Sequence, residues 1–138
     1  MPAGDAYHQT VINALRKDGW QIQADPMHLK WGRRDFFVDL SANKFYLAEK
    51  GQHRIAVEVK GFSRDSAMAT LEFTLGQFLI YRSVLARIEP QRKLYLAISE
   101  TDFLNILEEE IGQLIREDYS IPLLIFEENT EVIVAWKD

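Results

Sequence analysis

Residues 54–62, Arg-Ile-Ala-Val-Glu-Val-Lys-Gly-Phe, constrain the fold of this chain more than any other stretch. Ile55, Val57, Val59 and Phe62 are β-branched or aromatic and a glycine closes the run, so the pattern predicts a strand buried in a sheet. Side chains alternate across a strand, which sends Ile55, Val57 and Val59 to one face and Ala56, Glu58 and Lys60 to the other. A carboxylate and an ammonium therefore share one face in the middle of an apolar run. Withdrawing such charges from water is costly unless they are paired, bound to a metal or open to a cleft. Something in the fold must compensate them.

The remaining sequence limits what that compensation can be. With 138 residues, 47% hydrophobic and 27% charged, the chain has the length and composition of one globular domain with a sizeable core. It has no cysteine, which excludes disulfides, thiolate metal ligands and a thiol nucleophile and fits a cytoplasmic location. Neither a signal peptide nor an apolar run of membrane-spanning length is visible, so no membrane role is expected. The net charge of -5 hides an asymmetry: residues 1–99 carry 14 Lys and Arg against 10 Asp and Glu, whereas residues 100–138 carry 2 against 11. A basic surface on the first part is compatible with phosphate binding. The acidic last part suits a solvated face or a basic partner protein.

Taken in order, residues 5–17 have helical periodicity, with Val11, Ala14 and Leu15 on one side and a stop at Asp18-Gly19. A short segment, 20–23, leads to a turn at Asp25-Pro26. Residues 27–34 are expected to be a basic loop in which Lys30, Arg33 and Arg34 could grip phosphate and Trp31 could stack on a base. A three-strand meander is expected over 35–40, 44–49 and 53–60, then a long helix over 66–88. Residues 94–98 are a continuous apolar run, the mark of an inner strand. An acidic helix over 101–117 follows, then a closing pair of strands, 121–126 and 131–136, whose proline and acids suit a sheet edge.

An aspartate at one strand end followed by Glu-x-Lys on a neighbouring strand is one way to build a divalent-metal site for phosphodiester hydrolysis. Mg²⁺ or Mn²⁺ needs hard oxygen ligands, which Asp39, Glu58 and the Val59 carbonyl would supply while leaving positions for water and phosphate. Lys60 would orient the attacking water or stabilise developing charge. Gln77 and Tyr81, four apart on the long helix, share a face and could present an amide and a phenol to the site. His8, one turn from Asp5, is a candidate additional ligand, and Asp35 shares a strand face with Asp39. Glu49, beside a turn, is expected to be solvated. Glu-x-Lys alone equally describes a cross-strand ion pair at the rim of a half-exposed sheet. Tyr81 as a core aromatic, Gln77 at a helix boundary and His8 on the surface are the matching structural alternatives.

Asp39, residues 55–62, residues 75–82 (Leu-Gly-Gln-Phe-Leu-Ile-Tyr-Arg) and residues 94–97 (Leu-Tyr-Leu-Ala) together closely resemble the XisH family, the fdxN-element excision controlling factors of cyanobacteria. His8, the Lys17-Asp18-Gly19-Trp20 and Asp25-Pro26 segments and Trp136 extend the resemblance over nearly the whole chain. It implies a PD-(D/E)xK nuclease-like fold: an α/β, restriction-endonuclease-like core with a mixed central sheet flanked by helices. It also implies Asp39, Glu58 and Lys60 as metal and catalytic positions, with Gln77 and Tyr81 similar to the helix motif of RecB-type nucleases. The implied role is excision of a DNA element during heterocyst differentiation, as a metal-dependent endonuclease or a non-cleaving accessory factor. DNA, an XisI-like companion protein and a recombinase are the implied partners, and a homo-oligomer stays open. Val38 stands where the motif's proline would precede Asp39, and Ser41-Ala42-Asn43 replaces a Gly-Ala-Glu often found in relatives.

Overall fold

The structure, a computed structural model, describes residues 3–23, 27–38 and 45–138. Helix α1 (Ala3–Lys17) leads to strands β1 (Gln21–Ile22), β2 (Met27–Trp31), β3 (Arg34–Val38), β4 (Phe45–Lys50) and β5 (His53–Val59). A 3₁₀ turn (Arg64–Ser66) enters the long helix α2 (Ala67–Ile88), followed by β6 (Arg92–Ser99). A helical turn (Glu100–Asp102) runs into a π-helical segment (Phe103–Leu107), then α3 (Glu110–Tyr119), β7 (Leu123–Glu127) and β8 (Val132–Lys137). The main sheet is mixed and has six strands in the order β1-β4-β5-β6-β7-β8. Its centre, β5-β6-β7, is parallel, while β4 and β8 flank it antiparallel. This is the expected α/β architecture, a mixed sheet with helices on its faces.

The alternation expected for β5 sorts the two layers of the core. Ile55, Val57 and Val59 pack with Val11 and Leu15 of α1, and Ala56 packs with Phe78 and Leu85 of α2 on the other side. Burial on both faces is what a central parallel strand requires and explains its near-continuous apolar sequence. Helix α2 turns Leu71, Thr74, Phe78, Val84 and Leu85 inward and leaves Met68 exposed. Arg92, nearly fully buried, fastens three elements: its guanidinium donates to the Ile55 carbonyl (2.9 Å) and Glu89 (2.6 Å) and lies 3.5 Å from Glu49.

Four local expectations are corrected. Residues 27–34 are not a basic loop, because β2 pairs with β3 as a separate antiparallel hairpin turning at Gly32, whose φ of 63° suits glycine. For the same reason β3 does not lead a three-strand meander; β4 pairs with β5 and β1 instead. The acidic helix is interrupted by the π segment. Of the closing pair only β8 lies at the edge, and β7 is internal because Pro122 precedes it and offers its carbonyl to Leu96 N (2.9 Å), so no ladder donor is lost.

The turn after β5 is held by Asp102, whose carboxylate accepts from Phe62 N (3.1 Å) while its own N–H donates to Ser99 Oγ (3.1 Å). This bond sets the chain direction just beyond Lys60. Asp102→Ala would leave a buried N–H without its acceptor, at a cost of about 1–3 kcal/mol. Asp102→Asn, which keeps an acceptor oxygen, is expected to recover most of that loss in urea denaturation.

Candidate functional site

Glu58 sits near the C-terminal end of β5, opposite Phe45 of β4 and Leu96 of β6 in register, and is only 2% exposed. Its Oε2 is buried and has no hydrogen-bond partner among the described residues. A buried acceptor left in that state is rare and costly. Burial pushes the Glu58 carboxyl up to about 7, and the nearby Lys60 ammonium opposes the shift only in part.

Lys60 follows on the same face. Its Nζ donates to Gln77 Oε1 of α2 (3.0 Å) and lies 5.3 Å from the ring centroid of Phe73. Gln77 in turn donates from Nε2 to the Tyr81 hydroxyl (3.4 Å). The i, i+4 spacing on α2 thus becomes a relay that holds the ammonium in place. Burial raises the Tyr81 phenol above its ordinary range, and the Glu58 charge adds to the shift. Glu58, Lys60, Gln77 and Tyr81 are therefore brought into one electrostatic neighbourhood between β5 and α2.

Two members of this neighbourhood escape the sequence pattern. Thr74 is fully buried on α2, one turn before Gln77, and its Oγ1 also lacks a partner among the described residues. Phe73 covers the Lys60 ammonium although it is largely exposed. The 74-77-81 spacing is a signal that places Thr74 on the Gln77 face; nothing local points to Phe73, because its contact depends on how α2 docks.

Other expected residues fall elsewhere. Asp39 lies outside the described residues, as does the side chain of Asp35. Val59 ends β5 with its side chain on the α1 face, paired with Ala97. His8 is not directed towards Glu58: its ring hydrogen-bonds the Tyr46 hydroxyl, and Tyr46 packs with Val57 and Val59 on the opposite face of the sheet. Glu49 is not simply solvated but accepts from Gln23 (2.9 Å) and lies 3.7 Å from Arg54. Trp31 remains exposed on the β2–β3 hairpin, with the Arg87 guanidinium 5.9 Å from its ring. Among the described residues no three His, Asp or Glu side chains form a metal cage by themselves. The unpartnered Glu58 oxygen nevertheless fits a hard cation, whose charge would replace the missing donor.

The raised Glu58 carboxyl has a stability consequence with a definite sign. The folded state holds this proton more tightly than the unfolded chain, so the stabilisation is complete below pH 4.5 and is lost as pH rises through about 7. In metal-free buffer, the stability difference between wild type and Glu58→Gln should change by about 3 kcal/mol across that window, at the expense of wild type. Urea denaturation at pH 5 and pH 8 measures it; an equal response of both proteins would refute it.

Comparison with known proteins agrees with the fold. Among curated proteins none matches the chain. A solved XisH family protein from Nostoc punctiforme PCC 73102 is 36% identical, with a TM-score of 0.86 over 96% of this chain and 99% of that one. A solved fdxN element excision controlling factor protein from Anabaena variabilis is 35% identical, with a TM-score of 0.87 over 97% of this chain and 99% of that one. The family model described as XisH protein matches residues 1–134. Shared sequence and shared fold along nearly the whole length have one meaning: the chain belongs to the XisH family.

Proposed function

We propose that the chain serves DNA-element excision as a Mg²⁺- or Mn²⁺-dependent nuclease-type protein of the PD-(D/E)xK kind. The observation that carries this reading is the buried Glu58 carboxylate, with one oxygen unpartnered, beside an ammonium held by a two-residue relay. An ion pair at a half-exposed rim would not need burial of this depth. The name of the Anabaena relative supplies the excision context.

In this reading Glu58 and Asp39, with the Val59 carbonyl, hold the cation. When bound it supplies a more acidic water and positive charge near the scissile phosphate. Lys60 meets negative charge as it develops on the phosphoryl oxygens or orients the attacking water, and Gln77 keeps its ammonium from swinging away. Tyr81 fixes the Gln77 amide. Phe73 shields one side of the ammonium from water, which strengthens its field at the reacting centre.

Mn²⁺ should raise the melting temperature of wild type, with a gain of about 2.7 kcal/mol at a hundredfold excess over Kd, and Glu58→Ala should remove that gain. Plasmid nicking should fall with Glu58→Ala. Lys60→Ala should keep the Mn²⁺ shift yet lose roughly 10²–10³ in nicking rate, because the ammonium acts on the reaction and not on the ion. Wild type that binds Mn²⁺ without ever nicking DNA would leave an accessory factor in place of a nuclease. Wild type that binds no metal would return Glu58 and Lys60 to a structural pair.

The accessory reading has an observation of its own. A cleft of about 650 Å³ lies between the start of α2 and the π segment, with Phe62, Met68, Ile106 and Ile111 as apolar walls and Asp65 and Glu109 among its charged residues. Exposed Leu114 continues it one turn along α3. Apolar surface set among carboxylates suits a companion protein with a basic, apolar segment, the role assigned here to an XisI-like partner. Ile111→Glu should weaken co-purification with such a partner while leaving the Mn²⁺-induced stabilisation unchanged.

A further inference from the structure

The opposite end of the sheet carries a second constellation that the Glu58 site does not use. Arg54 and Lys93 stand at the beginnings of β5 and β6, far along the strands from Glu58, and the flanking aromatic residues pack towards the α1 face. There Trp20, Tyr95 and Trp136 form one aromatic group. The Trp20 and Trp136 ring centroids are 5.8 Å apart, and the Tyr95 ring meets Trp136 edge-on at 5.0 Å. These rings and three cations, Lys50, Arg54 and Lys93, line a cleft of about 520 Å³.

The arrangement differs from an ordinary aromatic plug in two ways. Trp136 keeps 37% of its surface exposed on the edge strand β8. The cations also lie against the rings: Lys50 Nζ is 6.0 Å from the Trp20 centroid and Lys93 Nζ is 5.3 Å from that of Tyr95. The carboxylate partners of the two lysines are exposed: Asp18 lies 3.7 Å from Lys50 and Asp138 3.0 Å from Lys93. Such surface pairs contribute little and yield readily to a stronger anion.

A ligand for this cleft must offer a flat, polarisable ring and a negative charge a few ångströms from it. A sugar would use the aromatic floor but not three cations, and an inorganic anion would use the cations but not the rings. We propose that the cleft is a nucleotide-binding site, in which one unstacked base lies on Trp136 and its phosphate is met by Lys50 and Lys93, which share the α1 face with the rings. Both a free nucleotide and one residue of a single strand have this chemistry. The site is independent of the proposed cation site, being at the other end of the strands and on the other face.

The test uses the full chain, a fluorescein-labelled deca-thymidylate strand and thymidine monophosphate. Anisotropy with the labelled strand should show saturable binding, and unlabelled strand should quench tryptophan emission in a Trp31→Phe background, where Trp20 and Trp136 are the remaining emitters. Trp136→Ala should weaken binding about tenfold or more. Lys93→Gln, an exposed change that leaves the rings in place, should lower the salt dependence, log K against log salt, by about 0.7. Binding should be the same with and without EDTA, which separates this site from the metal reading. Binding of the monophosphate as well as the strand assigns a free nucleotide, and binding of the strand alone assigns single-stranded nucleic acid. The proposal is overturned if neither probe binds saturably, or if Trp136→Ala and Lys93→Gln both bind like wild type.

Discussion

The desolvation of one carboxylate governs the rest of this structure. Glu58 is held almost fully out of water in a central strand of the sheet, and its carboxyl is pushed to about 7 by burial that Lys60 offsets only in part. A globular protein with marginal stability keeps such a group only where something else uses it. The neighbouring design follows: an ammonium on the same face, an amide and a phenol on α2 arranged to hold that ammonium, and a buried hydroxyl at Thr74 with no partner among the described residues. In water-poor surroundings each of these groups acts more strongly on a bound anion or cation than it would at the surface.

The scaffold around the site is built to keep β5 from moving. Arg92 ties the start of β5 to the end of α2 and to β4, and Asp102 ties the chain just past Lys60 to the end of β6. The two fastenings bracket the strand. Between them, burial on both faces leaves β5 little freedom, so Glu58 and Lys60 are presented by a rigid element and not by a loop.

Charge is distributed to match. The acidic last part contributes Asp102 and Glu109 beside the π segment, while the cations of the aromatic cleft come from strands β4, β5 and β6 in the basic part. An overall charge of -5 therefore says little about either surface, since binding of phosphate or of a basic segment depends on the field within about a Debye length.

Features that depend on neighbours along the chain are legible in the order of the amino acids. Period-two alternation put Glu58 and Lys60 on one face of a buried strand, and the i, i+4 spacing put Gln77 and Tyr81 on one face of a helix; the family resemblance rests on the same residues. Features that depend on which elements meet are fixed by long-range packing instead. No local pattern tells that residues 27–38 pair with each other and not with β4, because a β-strand carries the same alternation whichever partner it finds. The π segment within 101–117 is likewise a packing outcome, since helical periodicity continues through it. His8 illustrates the point in one residue: its position on α1 was legible, but whether α1 packs on the Glu58 face or the Val57 face was not, and Tyr46 receives it on the latter. The aromatic cleft was invisible for the same reason: Trp20, Tyr95 and Trp136 are far apart in sequence, and only the packing of α1 across the sheet brings Trp20, just past its end, against residues of β6 and β8.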